Sequence, residues 1–455
     1  MSSQNLYLHT KPSKLFLKAA IPGGISMLAS SLYTIFSSIF VGKFLGTTAF
    51  AALGLAMPLI IINFALSEMI GVGSSVPISI LLGKKEDDKA NNYFTSSVLL
   101  IMLTGLISGS FIFFGAPAFM RMMGAEGELL DLAVQYARIC AVFSPVTLLM
   151  FSLDNFLRIS GRLKTSMFLN IFSSALTVVM EFLLIIVFPM GVTGAALGTS
   201  VAMLICVAIG MVMFVPGKLQ LKFVKPKFSK EMFVQIYKNG LAPFLTNVSG
   251  RIFSVVMNVM LLKFGGEATV AIYSIVMILS GIVEQILYGV VDSLQPAIGY
   301  NYGAERFDRV KKIEKYIFIT AAIISVVSGV VMFAFTKAVS VPFLEDLSLL
   351  YMTIFAVKIS CFAYLFKWIG IAIQCFFMAL EKPLPSMVLS LSSACVFPAL
   401  LIPVLLPFEL TGLWLNYPLA MLLTAILAIV TIVFYKNKLF VPSQHGNLYE
   451  EETVQ

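Results

Sequence analysis

Residues 192–215 read VTGAALGTSVAMLICVAIGMVMFV, a run of 24 residues without a charged side chain. About 20 apolar residues in a helix cross the hydrocarbon core of a bilayer. In lipid, only helices and closed barrels satisfy every backbone hydrogen bond, and runs this long are helices. The next segment, 216–230, carries five lysines and two prolines. These residues predict a transmembrane helix followed by a linker outside the membrane.

Similar apolar runs recur along the whole chain, which is 59% hydrophobic and only 12% charged. Soluble domains carry about 25% charged residues, so this composition indicates an integral membrane protein. The first run, 15–40, is too long for the apolar region of a signal peptide and lacks a small-residue cleavage site. The predicted fold is an all-α membrane protein with twelve transmembrane helices. They are placed at 15–40, 50–80, 92–116, 130–157, 164–188, 192–215, 231–261, 270–299, 310–335, 349–378, 385–406 and 411–435.

An internal repeat relates the two halves of the chain. A shift of 220 residues places Gly83 on Gly303 and Lys43-Phe44 on Lys263-Phe264. Because each half has six helices, both halves begin on the same side and form parallel repeats. We expect two pseudo-symmetric six-helix bundles around a central cavity. The predicted domains are an N-terminal lobe at 1–215, a cytoplasmic linker at 216–230, a C-terminal lobe at 231–436 and a cytoplasmic tail at 437–455.

The net charge of +8 comes from Lys and Arg in alternate loops. These loops lie around 84–89, 158–164, 218–238 and 306–315. An excess of basic residues in alternate loops is the positive-inside pattern, which places both termini in the cytoplasm and argues against nucleic-acid binding. Five scattered cysteines and two histidines in the tails, His9 and His445, show no disulfide or zinc spacing. No metal site is predicted.

Three motifs carry a resemblance to a known family. Residues 295–304 read QPAIGYNYGA, residues 157–161 read LRISG, and residues 191–196 read GVTGAA. The chain resembles bacterial transporters of the multidrug and toxic compound extrusion (MATE) family, and the agreement covers nearly its whole length. Two roles stay open for the first motif: helix termination with aromatic anchors, or a direct part in gating. The residues concerned are Gln295, Pro296, Tyr300, Asn301 and Tyr302.

Glu181 lies in the middle of a predicted helix, with no basic residue within one turn. Ionisable groups in membrane spans are costly and mark functional sites by default. An unpaired carboxylate in an apolar setting favours its protonated form, so such a group can take up and release a proton near neutral pH. The alternative is a protonated glutamate that is hydrogen-bonded within the bundle.

The resemblance implies a cation site in the first half, with carboxylates on the first and fifth helices. The helix 1 acid of the family falls on Ser37, so it is missing here, and the helix 5 acid falls on Glu181. A family asparagine on helix 4 falls on Asp154, which suggests that Asp154 compensates for the lost acid. Thr177 and Thr199 complete the implied site, whose oxygen atoms suit H⁺ or a hard cation such as Na⁺. An i,i+4 ion pair with Arg158 is the competing interpretation of Asp154.

Three further acids lie within predicted spans: Glu68, Glu284 and Asp292. They are expected to line the substrate cavity and attract organic cations. The alternative is that they are neutralised by the basic residues inside the membrane, namely Arg251, Lys358 and Lys367.

The sequence therefore predicts a secondary active multidrug antiporter that exports organic cations in exchange for H⁺ or Na⁺ by alternating access. The alternative is a MATE-like flippase for a lipid-linked saccharide, or an exporter of another small metabolite. No HExxH, GxSxG or P-loop motif is present, so an enzyme is not expected. No cofactor, nucleic acid or ATP is predicted. The expected partners are small organic cations and membrane lipid, and the expected state is a monomer in the bacterial plasma membrane.

Overall fold

The computed structural model describes residues 4–344 and 347–440, and helices dominate this part of the chain. A π-helical turn, Asn5–His9, precedes the first long helix. The α-helices are α1 Pro12–Gly83, α2 Asp87–Met122, α3 Gly127–Val142, α4 Ser144–Ile159, α5 Leu163–Phe182, α6 Gly191–Val212, α7 Lys230–Asp292, α8 Gln295–Gly303, α9 Phe307–Ala334, α10 Thr336–Ser340, α11 Leu350–Cys361, α12 Tyr364–Ala379, α13 Pro383–Leu391, α14 Phe397–Leu405 and α15 Glu409–Tyr435. Two further π-helical turns, Leu183–Val187 and Ser392–Val396, extend α5 and join α13 to α14.

Within residues 4–344 and 347–440, the helical runs account for twelve membrane crossings. Eight runs are long and apolar enough to cross a membrane, and two bent helix pairs also qualify. The runs Lys230–Gly303 and Pro383–Tyr435 have 74 and 53 residues, which is enough for two crossings each at about 1.5 Å of rise per residue. They are broken at Gly266 and Glu409, where φ is 71° and 48°. Dividing these two runs there, and counting each bent pair as one crossing, gives the twelve crossings that the sequence predicted.

The internal repeat is visible in the backbone. Left-handed residues recur in pairs that are 220 positions apart: Gly46 with Gly266, Lys85 with Glu305, and Gly161 with Glu381. A fourth pair, Gly191 and Glu409, is 218 positions apart. Non-glycine residues adopt this conformation rarely, so three pairs in one register are unlikely to arise by chance. The two halves therefore share one chain path.

The fourth crossing of each half was predicted as one helix, at 130–157 and at 349–378, and in the structure each consists of two helices that meet at a bend. The axes of α3 and α4 differ by 59°, and those of α11 and α12 differ by 47°. Pro145 lies in the first turn of α4, where its ring and missing N–H prevent the helix from continuing unbroken. At the second bend, tight i→i−3 hydrogen bonds from Phe362 and Ala363 replace the regular pattern.

The two halves meet where α1 packs against α7 and α8. A Cβ at Gly83 would lie 2.3 Å from the carbonyl oxygen of Tyr300, and one at Gly303 would lie 2.1 Å from that of Ile80. Since Ile80 and Tyr300 are themselves 220 positions apart, the same close contact is made twice across the pseudo-symmetry. Glycine is required at both positions because the backbones of the two halves touch there.

We name one end of the molecule the basic face, because the Lys- and Arg-rich loops gather there. It holds the loops around 84–86, 160–162, 216–229, 304–306 and 380–382. Gln220 in the linker donates to Asp87 Oδ1 at 3.0 Å, and the Lys222 N–H donates to Asn91 Oδ1 at 2.8 Å. The linker therefore lies along the start of α2. Hydrogen bonds between the halves extend from this face to the pair Ser31 Oγ and Gln285 Oε1, which are 2.8 Å apart.

Candidate functional site

Glu181 is held inside the first half by hydroxyl groups from two neighbouring helices. Its side chain, on α5, is only 2% exposed. The Ser37 hydroxyl on α1 donates to Glu181 Oε1 at 2.9 Å, and the Thr199 hydroxyl on α6 donates to the same oxygen at 3.2 Å. Tyr33 brings its hydroxyl within 3.5 Å of Thr199 Oγ1. The sequence-predicted residues Ser37, Glu181 and Thr199 therefore lie together.

The walls of this site are tightly packed. A Cβ at Gly198 on α6 would lie 3.0 Å from Glu181 Cγ and 3.0 Å from its backbone nitrogen. Within residues 4–344 and 347–440, no Lys or Arg forms an ion pair with Glu181. A buried carboxylate without a counter-charge is stable when it holds a proton or a bound cation. The hydroxyl oxygens around it are the ligand type that hard cations prefer.

Thr177 is buried near Glu181 on α5, but its hydroxyl is engaged elsewhere. It donates to the carbonyl oxygen of Ser173 at 2.8 Å, one turn earlier in the same helix. Among the predicted oxygen ligands, Thr177 therefore contacts its own helix rather than the Glu181 carboxylate.

Asp154 is part of a different cluster. Its carboxylate forms an ion pair with Arg158 and accepts hydrogen bonds from Ser166 Oγ and, at 2.8 Å, from Asn170 Nδ2. The Arg158 side chain is 4% exposed, so the guanidinium needs this partner. The structure does not place Asp154 beside Glu181. Asp154 instead forms the i,i+4 ion pair with Arg158 that was the competing interpretation of this residue. Compensation for the missing acid at Ser37 is therefore not part of this arrangement.

We expect Asp154→Asn to lower stability by about 3–5 kcal/mol, because it leaves the buried Arg158 guanidinium without its counter-charge. Thermal unfolding of the purified protein in detergent measures this as a lower Tm. Asp131→Asn, on an exposed position of α3, is the matched control and should leave Tm unchanged. A stable Asp154→Asn protein that loses only its response to an ion gradient would contradict this structural role.

Glu284 is neutralised rather than free. Lys367 Nζ on α12 lies 2.9 Å from Glu284 Oε2 on α7 and donates to the Tyr417 hydroxyl on α15 at 2.8 Å. This pair lines a cavity of about 190 Å³ inside the second half. Glu284 therefore borders a cavity, and Lys367 borders the same cavity and neutralises Glu284. The contact with Lys367 corresponds to the second of the two roles expected for Glu284.

Glu68 and Asp292 are placed away from that cavity. Asn247 on α7 donates to Glu68 Oε2 on α1 at 2.7 Å, so Glu68 lies at the junction of the two halves. Asp292 lies at the end of α7 beside the Cys375 thiol, and its Oδ1 has no hydrogen-bond donor among the described residues. Neither acid lines the cavity with Glu284 and Lys367.

The motif at 295–304 forms a junction between the two halves and the N-terminal segment. Tyr300 is fully buried, and its hydroxyl lies 3.1 Å from the carbonyl oxygen of Ile159 in the first half. Asn301 Nδ2 donates to the carbonyl oxygen of Tyr7 at 3.1 Å. Tyr302 is half-buried, with its ring centroid 5.8 Å from that of Phe307. This motif thus closes the basic face.

The first two residues of the motif turn the chain from α7 into α8. Pro296 occupies the first turn of α8, where its missing N–H costs nothing. Gln295 is buried, and its Oε1 accepts a hydrogen bond from Ser75 Oγ on α1 at 3.4 Å. Both residues therefore fix where α8 begins against the first half.

Tyr7 connects this junction to the first half, and the sequence alone did not reveal it. Its ring centroid lies 4.8 Å from that of Tyr300, and its hydroxyl donates to the carbonyl oxygen of Arg158. Burial raises the pKa of the Tyr7 phenol, although the Arg158 guanidinium opposes this shift, so the phenol stays protonated and donates. Arg309 Nη2 donates to the Tyr7 carbonyl oxygen at 3.1 Å. A single tyrosine before the first span has no periodic pattern that would have identified it.

A buried acid on α9 was also missed. Glu314 is buried, and neither of its carboxylate oxygens has a hydrogen-bond partner among the residues that the structure describes. The lysines that flank it, Lys311, Lys312 and Lys315, are typical of a solvated face. The apolar positions around it on α9 are the only signal that favoured burial.

Comparison with known proteins gives a family match along both halves. The model of the MatE family matches residues 22–183 and 244–404, and the two matches begin 222 residues apart. The multidrug export protein MepA of Staphylococcus saprophyticus is 27% identical over 452 residues, covering 97% of this chain and 98% of its own. MepA of Staphylococcus aureus is also 27% identical, over 448 residues, with the same coverage.

Solved structures share the fold at lower sequence identity. One is an outward-facing multidrug resistance MATE transporter of the MOP superfamily, with a TM-score of 0.90 and 22% identity over 96% of this chain and 98% of that one. Another, a MOP superfamily transporter from Pyrococcus furiosus described by the reversed polarity of its binding pocket, has a TM-score of 0.91 at the same identity and coverage. These likenesses show that the chain shares the fold of these transporters.

Proposed function

Since the chain belongs to the MatE family of membrane transporters, we propose that it is a secondary active exporter of small organic molecules, including organic cations, driven by the entry of H⁺ or Na⁺. The family performs transport and not catalysis, so the chain is not an enzyme. The MepA relatives carry the name of multidrug export proteins, which supports export of chemically varied compounds by this chain as well.

The observation that carries the proposal is the Glu181 carboxylate, buried on hydroxyl groups and without a basic partner among the described residues. A proton or Na⁺ bound there neutralises a charge that is costly to bury. Moving one charge through the membrane field supplies about 2.3 kcal/mol per 100 mV. We assign cation coupling to Glu181, with Ser37 and Thr199 as its oxygen neighbours.

The junction at the basic face is the part of the molecule that would control alternating access. Tyr7, Tyr300 and Asn301 bind the two halves together there. We propose that the basic face is cytoplasmic and that these contacts form a gate, which is closed in this conformation. Cation release and substrate entry on the cytoplasmic side would then require the gate to separate.

We also propose the domain boundaries, the location and the oligomeric state. The lobes are 1–215 and 231–436, joined by the linker 216–230. The location is a bacterial plasma membrane, with both termini in the cytoplasm; the tail from 441 onward lies outside the described residues, as does His445. The working unit is one chain.

A flippase for a lipid-linked saccharide remains the alternative. Such a substrate carries a diphosphate and would need a strongly basic cavity. The cavity in the second half contains one lysine, Lys367, and pairs it with Glu284. This balance supports the exporter over the flippase.

The test uses purified protein in liposomes that contain ethidium. We expect ethidium efflux to accelerate when either an inward pH gradient or an inward Na⁺ gradient is imposed, and the effective gradient identifies the coupling ion. If ethidium leaves these liposomes no faster than it leaves protein-free liposomes under both gradients, cation-driven export of ethidium is ruled out.

A further inference from the structure

The cavity in the second half holds an ion pair whose two members both have capacity to bind a ligand. An ammonium group has three N–H donors. Among the described residues, two of the three N–H donors of Lys367 have acceptors: Glu284 Oε2 at 2.9 Å and the Tyr417 hydroxyl at 2.8 Å. The Lys367 side chain is 5% exposed, so its remaining donor has little access to bulk water.

Glu284 is open on its other side. Its side chain is 39% exposed, and in the described part of the chain its Oε1 accepts no hydrogen bond. The carboxylate thus uses one oxygen for Lys367 and leaves the other accessible. The cavity therefore offers an acceptor for a ligand ammonium close to a donor for a ligand carboxylate.

The rest of the wall combines aromatic and apolar side chains with hydroxyl and amide groups, and its large members are aromatic or apolar. It includes Phe253, Tyr273, Tyr288, Trp414 and Met421. Flat aromatic groups pack well against such side chains. At about 190 Å³, the cavity is smaller than the roughly 300–1,000 Å³ of sites for drug-sized ligands, which favours a compact ligand.

Charge balance distinguishes the possible ligands. A cation on Oε1 of Glu284 would set a second positive charge beside the buried Lys367 ammonium and leave the cavity with a net charge, which is costly. An anion on Lys367 would likewise set a second negative charge beside Glu284. A ligand with both charges can contact each member of the pair while keeping the total charge at zero.

We propose that this cavity binds a small aromatic zwitterion, with the ligand ammonium on Glu284 and the ligand carboxylate on Lys367. The assignment rests on the proposed transport function, since it names one class of molecule that the exporter carries.

The test compares three probes that share an indole ring and differ in charge: tryptophan (zwitterion), tryptamine (cation) and indole-3-propionate (anion). Equilibrium binding is measured calorimetrically on the full-length protein in detergent, without any gradient. We expect tryptophan to bind at least about tenfold more tightly than either singly charged probe, because each of those sets a like charge beside one member of the pair.

Variants of the pair should change the preference in opposite directions. Lys367→Met should transfer the preference to tryptamine, and Glu284→Gln should transfer it to indole-3-propionate. Lys367→Arg keeps the positive charge, so tryptophan should remain the most tightly bound probe. This variant also shows whether the protein folds when residue 367 is changed. Lys358→Met is the matched control: Lys358 lies against Phe333, with its ammonium 5.2 Å from the ring centroid, outside the cavity, and its profile should equal that of the wild type.

Equal binding of tryptophan and tryptamine to the wild type would overturn the assignment, as would undetectable binding of all three probes. Because binding is measured without a gradient, a failure of gradient-driven ethidium efflux would count against the proposed function and not against the zwitterion site. Conversely, ethidium efflux with no tryptophan preference would leave antiport intact and remove the zwitterion assignment.

Discussion

Glu181→Gln is expected to abolish the concentrative part of substrate export. Glutamine keeps the size of the side chain and its hydrogen bonds to Ser37 and Thr199, but it cannot hold a proton or attract a cation. Exchange of one ethidium cation for one H⁺ or Na⁺ moves no net charge, so the imposed ion gradient sets the concentration ratio. A tenfold ion gradient supplies about 1.4 kcal/mol, which corresponds to about a tenfold ratio of ethidium. We expect the variant to lose this ratio and to equilibrate the substrate instead. Ethidium distribution across liposomes at steady state is the measurement.

Two comparisons make this result specific. Glu128→Gln, on an exposed position of α3, removes a carboxylate from the same half and should leave the concentration ratio unchanged. Equilibrium binding of the substrate to Glu181→Gln should stay within about threefold of the wild type, because the residue does not line the cavity of the second half. A variant that still concentrates ethidium to the wild-type ratio would rule out coupling through Glu181.

Gly303→Val is expected to open the gate at the basic face. A Cβ at this position would lie 2.1 Å from the carbonyl oxygen of Ile80, and backbone cannot move aside as a flexible side chain can. Overpacking of this kind costs about 1–3 kcal/mol, and every 1.4 kcal/mol is a tenfold change in an equilibrium constant. We therefore expect the closed state to lose at least about fivefold in population, and export to fall with it.

The gate can be observed directly with spin labels on the two halves. Labels at Arg162 and Lys382, in a background with the five native cysteines replaced by serine, lie on opposite lobes at the basic face. Gly303→Val should lengthen their distance distribution. Gly281→Val in α7, where an added Cβ meets nothing within 4 Å, is the matched control. An unchanged distribution in Gly303→Val would show that this contact does not determine closure.

The architecture was predictable because lipid imposes simple rules on sequence. Apolar runs and loop charges predicted the number and order of crossings. The breaks at Gly46 and Gly266 lie in the gaps between predicted helices, at 41–49 and at 262–269. The bends within the fourth crossings were not anticipated. Pro145 lies inside an apolar run that is long enough to span as one helix, and a proline there is compatible with either a bent helix or a new one.

The candidate site was predictable only in part, because pairing depends on tertiary contacts. Glu181 stood out because its own helix offered no basic partner. Asp154 had two possible roles, and only the structure shows that Ser166 and Asn170 of α5 complete its cluster with Arg158. Glu284 and Lys367 are 83 positions apart, so their pairing could be named as an option but not selected. Tyr7 depends on a contact with Tyr300 almost 300 residues away.

The most direct test of cation-coupled export is to run the exchange in reverse. Liposomes containing the protein and a trapped pH indicator receive an outward or inward ethidium gradient, and parallel samples measure radioactive Na⁺. We expect the ethidium gradient alone to drive H⁺ or Na⁺ in the opposite direction in the wild type, and Glu181→Gln to move neither ion. Ethidium movement through the wild type with no accompanying counterflow of either ion would contradict antiport.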